Sequence, residues 1–185
     1  MSNKDETPKP GPHIGASLSG DDYRPQIGKF RCNSTGGIWR NTLKFPDWDE
    51  CEVDREIERV LASLSSADSR IALAELYDLI NSAQEGQLGN EDPADFSELP
   101  HFPPLLELRI QINPDAPEAV DRILLRYYFA EPPDFADLLL GLKFAKKPSG
   151  EDRHGKQDQH IRDAYFRYKQ GQRNGNTWGL DLKKW

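Results

Sequence analysis

The chain has 185 residues, enough for one core of ordinary size, with a formal net charge of −7 and a pI near 5.1. An acidic whole argues against indiscriminate nucleic-acid binding, because its long-range field repels polyanions. No apolar run reaches the length of a membrane span, and the N-terminus lacks the apolar stretch of a signal peptide. Two cysteines, Cys32 and Cys51, lack CxxC spacing and make neither a zinc site nor a disulfide framework, so a reducing compartment and a cytoplasmic protein are expected.

The charge is regional. Residues 140–185 hold 11 Lys and Arg against 5 Asp and Glu, a balance of +6, whereas residues 1–139 hold 13 against 26, a balance of −13. A short basic cleft is therefore compatible with the acidic total.

Residues 1–38 are rich in Pro, Gly, Ser, Asn and Asp, and are expected to form a disordered arm that buries too little to offset its ordering entropy. Residues 39–45 alternate as a first strand. Pro46, Asp47, Trp48 and Asp49 read as a helix start, and Val53, Ile57, Val60, Leu61 and Leu64 recur at helical spacing behind it. Ser65 with Asp68 predicts a cap for a second helix carrying Leu73, Leu76, Tyr77 and Ile80 on one face, which gives a helical hairpin. Residues 84–104 read as a loop.

The next strand, residues 105–112, sets Leu106, Leu108, Ile110 and Ile112 against Leu105, Glu107, Arg109 and Gln111. In the one after it, Ile123, Leu125, Tyr127 and Phe129 oppose Arg122, Leu124, Arg126 and Tyr128. Residues 135–146 are apolar in their middle, as a strand buried on both faces should be. A last helix over about residues 157–169 places Ile161, Ala164, Tyr165 and Tyr168 together, and residues 171–185 form a polar tail. The order β-α-α-β-β-β-α predicts an α+β fold, with a small antiparallel sheet backed by the hairpin and one domain over residues 39–170.

Consecutive strands usually pair, so Arg109, Arg122, Arg126, Lys143, Lys146 and Lys147 would line one surface beside the last helix, which adds Arg162 and Arg167. Such a surface suits a polyanion and the charge of a phosphorane, with His154, His160 and the tyrosines at hand for proton transfer. Charged residues on strand faces are more often only the solvated side of a sheet.

Five segments carry a resemblance. The run from Asp54 to Leu64 and the helix after it are similar to the helical hairpin of RelE/ParE-family toxins, closest to the HigB-like branch. Leu105-Leu106-Glu107-Leu108-Arg109, Arg122-Ile123-Leu124 with Tyr127, and the run from Leu139 to Lys147 resemble that branch's three later strands. Gln159-His160-Ile161-Arg162-Asp163-Ala164 is similar to the opening of its last helix, and the likeness spans about residues 39–170. The resemblance implies the toxin of a type II toxin–antitoxin pair, an endoribonuclease that cuts mRNA in the ribosomal A site. There the message's own 2′-hydroxyl attacks the adjacent phosphate, and no metal or cofactor is needed. It assigns catalysis to Arg109, Arg122 and Lys146 or Lys147. His160 is the substitute for a tyrosine early in the last helix, although Ile161 and Tyr165 compete for that register. Arg126, Lys143, Arg162 and Arg167 would bind substrate. The partners implied are a cognate antitoxin and ribosome-bound mRNA, with no membrane. Two alternatives stand beside this reading: a ParE-like inhibitor of DNA gyrase, and a non-catalytic binding protein of the same fold.

Overall fold

A computed structural model describes residues 30–44, 51–89, 95–113, 122–147 and 153–181. After a single 3-10 turn at Arg31–Asn33 come β1 (Ile38–Asn41), α1 (Glu52–Ala62), α2 (Ser66–Glu85), β2 (Phe96–Glu98), β3 (Leu105–Ile112), β4 (Ile123–Ala130), β5 (Leu138–Lys146) and α3 (Arg153–Arg173). The five strands form one sheet in the order β1-β5-β4-β3-β2. The chain is α+β.

Alternation divides the sheet into two apolar faces. Leu106, Leu108, Ile110 and Ile112 of β3 join Leu125, Tyr127 and Phe129 of β4 under α1 and α2, with Val53, Ala72 and Leu76. Leu105, Tyr128, Ala130, Leu138 and Leu140 face the other way, against Ile161, Ala164 and Tyr168 of α3. Both strand patterns match the sequence reading, and β5 is buried on both sides as its composition requires. At the start of α2 the Ser65 hydroxyl accepts from the Asp68 N–H at 3.1 Å and donates to the Asp68 carboxylate at 2.7 Å, the cap that the spacing predicts.

Four features differ from expectation. The sheet is mixed, not antiparallel: β1 runs parallel to β5, since the helical hairpin and three strands intervene and return the chain in the same direction. The stretch read as loop contains β2, three residues too short to show a period, which forms by pairing antiparallel to the β3 edge and burying Phe96. Tyr77 is 58 % exposed; the buried stripe of α2 runs instead through Ala72, Leu76 and Ala83, two of them alanines that carry little periodic signal. The expected helix start at Pro46 to Asp49 lies outside the described residues, and α1 begins at Glu52 after Cys51, whose side chain makes no cap.

The packed structure also reaches past residues 39–170. Residues 30–37, expected in the arm, dock against the end of α2 and the connection between β4 and β5: Cys32 is fully buried, and the Glu131 carboxylate accepts from the N–H groups of Arg31 and Cys32 at 2.8 Å each. The Arg31 guanidinium donates to the carbonyls of Phe135 and Leu138. At the other end Trp178, expected in the tail, is 1 % exposed, stacks on Tyr168 at 5.7 Å and donates from Nε1 to the Tyr168 carbonyl at 3.0 Å. Gly171 permits this, since a Cβ there would lie 1.9 Å from the Trp178 ring. Composition suggests loose ends because polar backbone contacts and one aromatic anchor hold them, not an apolar stripe. Of the tail, residues 182–185 lie outside the described residues.

Among the described residues no helix is long and apolar enough to cross a membrane.

Candidate functional site

The site begins with an irregularity in β5. Tyr128 of β4 pairs with Lys143, but Phe129 pairs with Gly141, so Leu142 is an extra residue, a bulge. Strict alternation would put Leu140, Leu142 and Phe144 on one face. The bulge instead leaves the two leucines facing α3 and turns Phe144 under the hairpin. It coincides with the end of β1, which pairs only with residues 138–141. From Leu142 onward no strand among the described residues pairs with this edge of β5, and its backbone groups need other partners.

Side chains supply them. Glu56, on the sheet-facing side of α1, accepts the Phe144 N–H at 3.0 Å, while Arg167 of α3 donates to the Leu142 carbonyl at 2.6 Å. The same Glu56 carboxylate takes Lys143 Nζ at 3.0 Å and Arg167 at 2.7 and 3.1 Å. Asp163 adds a contact to Lys143 at 3.3 Å, and Glu52 one to Arg167 at 3.1 Å. Burial alone would raise the Glu56 pKa; the Arg167 hydrogen bonds and charge, the Lys143 charge and the Phe144 N–H outweigh it and hold the carboxyl below the ordinary range. Lys143 and Arg167, expected to bind substrate, thus join α1, β5 and α3.

Two depressions flank this ion-pair hub. One, of about 480 Å³, lies between α1 and α3 and is lined by Lys44, Glu52, Asp163, Phe166, Gln170 and Trp178 among others. The other, shallower and about 240 Å³, runs along the open β5 edge and is lined by Arg59, Val60, Lys143, Ala145, Lys146 and His160, with Glu56 and Phe144. Lys146 and Arg59 are exposed there, and His160 is half-buried. Burial first, and then the Lys143 charge, hold the imidazole below its ordinary pKa. That direction favours the neutral imidazole, the form able to accept a proton, with three cations within the same cleft.

A second group lies on the α3 side of the sheet. Arg109 and Arg126 are cross-strand partners, and so are Glu107 and Tyr128. Glu107 Oε1 accepts from Arg109 Nε at 3.1 Å and lies 3.5 Å from Arg126 Nε. Arg126 is buried, whereas the Arg109 side chain is 41 % exposed. In register, Arg109 lies level with Arg126 and Ala145, two strand spacings or roughly 10 Å from the β5 edge.

The expected site residues therefore fall into separate places. Lys146, His160 and Lys143 meet in the cleft at the β5 edge; Arg109 and Arg126 form the sheet-face pair. Arg122 is exposed one residue before β4, and Arg162 is exposed on α3. Lys147 follows β5, its N–H donating to the Leu124 carbonyl at 2.7 Å. His154 is in the first turn of α3. Sequence reasoning missed Arg59 and Glu56. Glu56 stands three residues after Val53 and four before Val60, inside the apolar stripe of α1, and an acid in such a stripe is the signal that was available.

No family model, no curated protein and no solved structure matches this chain.

Proposed function

We propose that the chain is a RelE/ParE-like toxin of the HigB-like branch, the toxin of a type II toxin–antitoxin pair and a ribosome-dependent mRNA endoribonuclease. The order of elements supports the fold: a strand, a helical hairpin, three antiparallel strands and a closing helix, with the short β2 inserted. The observation that carries the activity is the half-buried His160, its pKa lowered by burial and the Lys143 charge, sharing one cleft with Lys143, Lys146 and Arg59. These are the parts that metal-independent 2′-hydroxyl attack needs. The 2′-oxygen bonds to the adjacent phosphorus, its proton passes to His160, and the bond to the 5′-oxygen breaks. Lys146 protonates that leaving oxygen, and the products are a 2′,3′-cyclic phosphate and a 5′-hydroxyl. Arg109 and Arg122 hold the phosphates of the message, and the equatorial charge is balanced by the cations of the cleft. Sequestration by an antitoxin would neutralise the activity.

A second reading has its own support. Four of the expected cations, Arg109, Arg126, Lys143 and Arg167, are ion-paired with Glu107 or Glu56, which suits a non-catalytic binding protein of this fold. Induced expression separates the readings. Growth should slow with the wild-type chain and recover with His160→Ala or Arg109→Ala. Growth arrest that survives both substitutions would point to a gyrase-directed toxin, and no arrest at all to the binding protein.

A further inference from the structure

Arg109 and Arg126 are directly opposite one another on β3 and β4, so two guanidinium groups crowd one face of the sheet. Like charges in that position repel unless something stands between them. Glu107 does. It lies two residues before Arg109 on the same face, is 4 % exposed, and turns a single oxygen, Oε1, toward both Nε atoms, at 3.1 Å from Arg109 and 3.5 Å from Arg126. Its other oxygen, Oε2, is buried without a hydrogen-bond partner, and the same holds for the hydroxyl of its cross-strand neighbour Tyr128. Among the described residues the carboxylate takes its hydrogen bond from Arg109, while Arg126 Nε, itself without a hydrogen-bond partner, adds its charge at 3.5 Å.

The two arginines differ in what they have left to offer. Arg126 is 8 % exposed, and its Nη1 donates to the Leu125 carbonyl at 2.9 Å, so it faces inward. Arg109 gives its Nε to Glu107 while its side chain stays 41 % exposed, and among the described residues its Nη atoms make no hydrogen bond. A carboxylate on the Nε side leaves the paired Nη groups pointing away from it. That pair is the fork which binds two oxygens of one phosphate, and a lysine cannot reproduce it. A strand arginine without such a tether would spread over many rotamers.

We infer that Glu107 is a positioning residue: braced by the inward-facing Arg126, it pins Arg109 through Nε and aims the Nη fork outward as a grip for a single phosphate group. That the phosphate belongs to RNA rests on the function proposed above; the grip itself does not. Arg126 is thereby a brace and not a substrate ligand.

The test uses the full chain, with arginine side-chain 15N signals followed during titration with inorganic phosphate. In the wild type the Arg109 Nε–H is expected to exchange slowly with solvent, and the Arg109 signals to shift with phosphate and saturate. Glu107→Gln, which keeps the shape but removes the charge, should speed that exchange and weaken the phosphate response about tenfold or more. Arg109→Lys, which keeps a cation beside Glu107 and is followed through the backbone amide signals of β3, should abolish the saturable response; if the Glu107 variant does not fold, this arm decides the fork, and the wild-type Nε–H exchange decides the tether, which fast exchange would overturn. A wild-type Arg109 that ignores phosphate, an unchanged response in Glu107→Gln, or an equal response from Arg109→Lys would overturn the inference. Wild-type protein that grips phosphate but cuts no message would overturn the ribonuclease reading alone.

Discussion

Glu56→Ala is the perturbation that most severely tests the packing of the site. The wild-type carboxylate, with a side chain 9 % exposed, compensates Lys143 and Arg167, whose side chains are 12 % and 16 % exposed, and it satisfies the Phe144 N–H on the unpaired β5 edge. Alanine removes one partner of a buried ion-pair group and leaves the cations behind, a change that costs about 3–5 kcal/mol. For a chain of this size that corresponds to a fall in Tm of roughly 6–20 °C. Urea denaturation of the full chain with an unchanged m-value is the direct assay. The loss has a pH signature. The folded-state pKa of Glu56 lies below its ordinary value, so its stabilisation is complete above the unfolded-state value of 4.5 and disappears as pH falls through the folded-state value. The difference between wild type and variant should therefore be widest near neutrality and shrink in acid. A variant within about 1 kcal/mol of wild type at pH 7 would refute the reasoning, because it would mean that Lys143 and Arg167 reach water or other partners without cost.

Three further outcomes are expected. If His160 accepts the 2′-hydroxyl proton, mRNA cleavage by the wild type should be flat above pH 6.5 and fall on acidification through the lowered pKa of this residue; His160→Ala should lose about 100-fold or more and the acidic limb with it, and an unchanged profile in that variant would remove His160 from the chemistry. Trp178→Ala should destabilise the fold by about 3–5 kcal/mol in urea melts, since the ring is 1 % exposed and stacked on Tyr168; a frayed tail would instead give no change. Ser65→Ala should cost about 1 kcal/mol by the same measurement through loss of the α2 cap, and a neutral result would show that the Asp68 N–H finds another acceptor.

What could be read from the sequence follows from the range of each interaction. The faces of β3 and β4 were legible because a period of two is a local property, and Leu106 through Ile112 and Ile123 through Phe129 keep it without a break. The Ser65–Asp68 cap is local too, three residues wide. The bulge at Leu142 was not legible, since the residues around it are all apolar except Lys143 and no alternation exists to be broken. Nor were the partners of the cations. Lys143 and Arg167 look available in strand and helix patterns, but Glu56 reaches them from 87 and 111 residues away in the chain. The same limit explains Trp178, an aromatic in a polar stretch whose burial depends on a small residue, Gly171, one helix end away. β1 lies parallel to β5 for a reason equally non-local: its partner follows it by about a hundred residues.

The claim that matters most is that this chain cuts messages with His160 and Arg109. Induced expression followed by mapping of mRNA 5′ ends tests it directly, with His160→Ala and Arg109→Ala as controls. The proposed function predicts new 5′-hydroxyl ends in phase with the codon in the ribosomal A site, present for the wild-type chain and absent for both variants. Unchanged 5′ ends during wild-type expression, or phased cuts that persist in both variants, would contradict it.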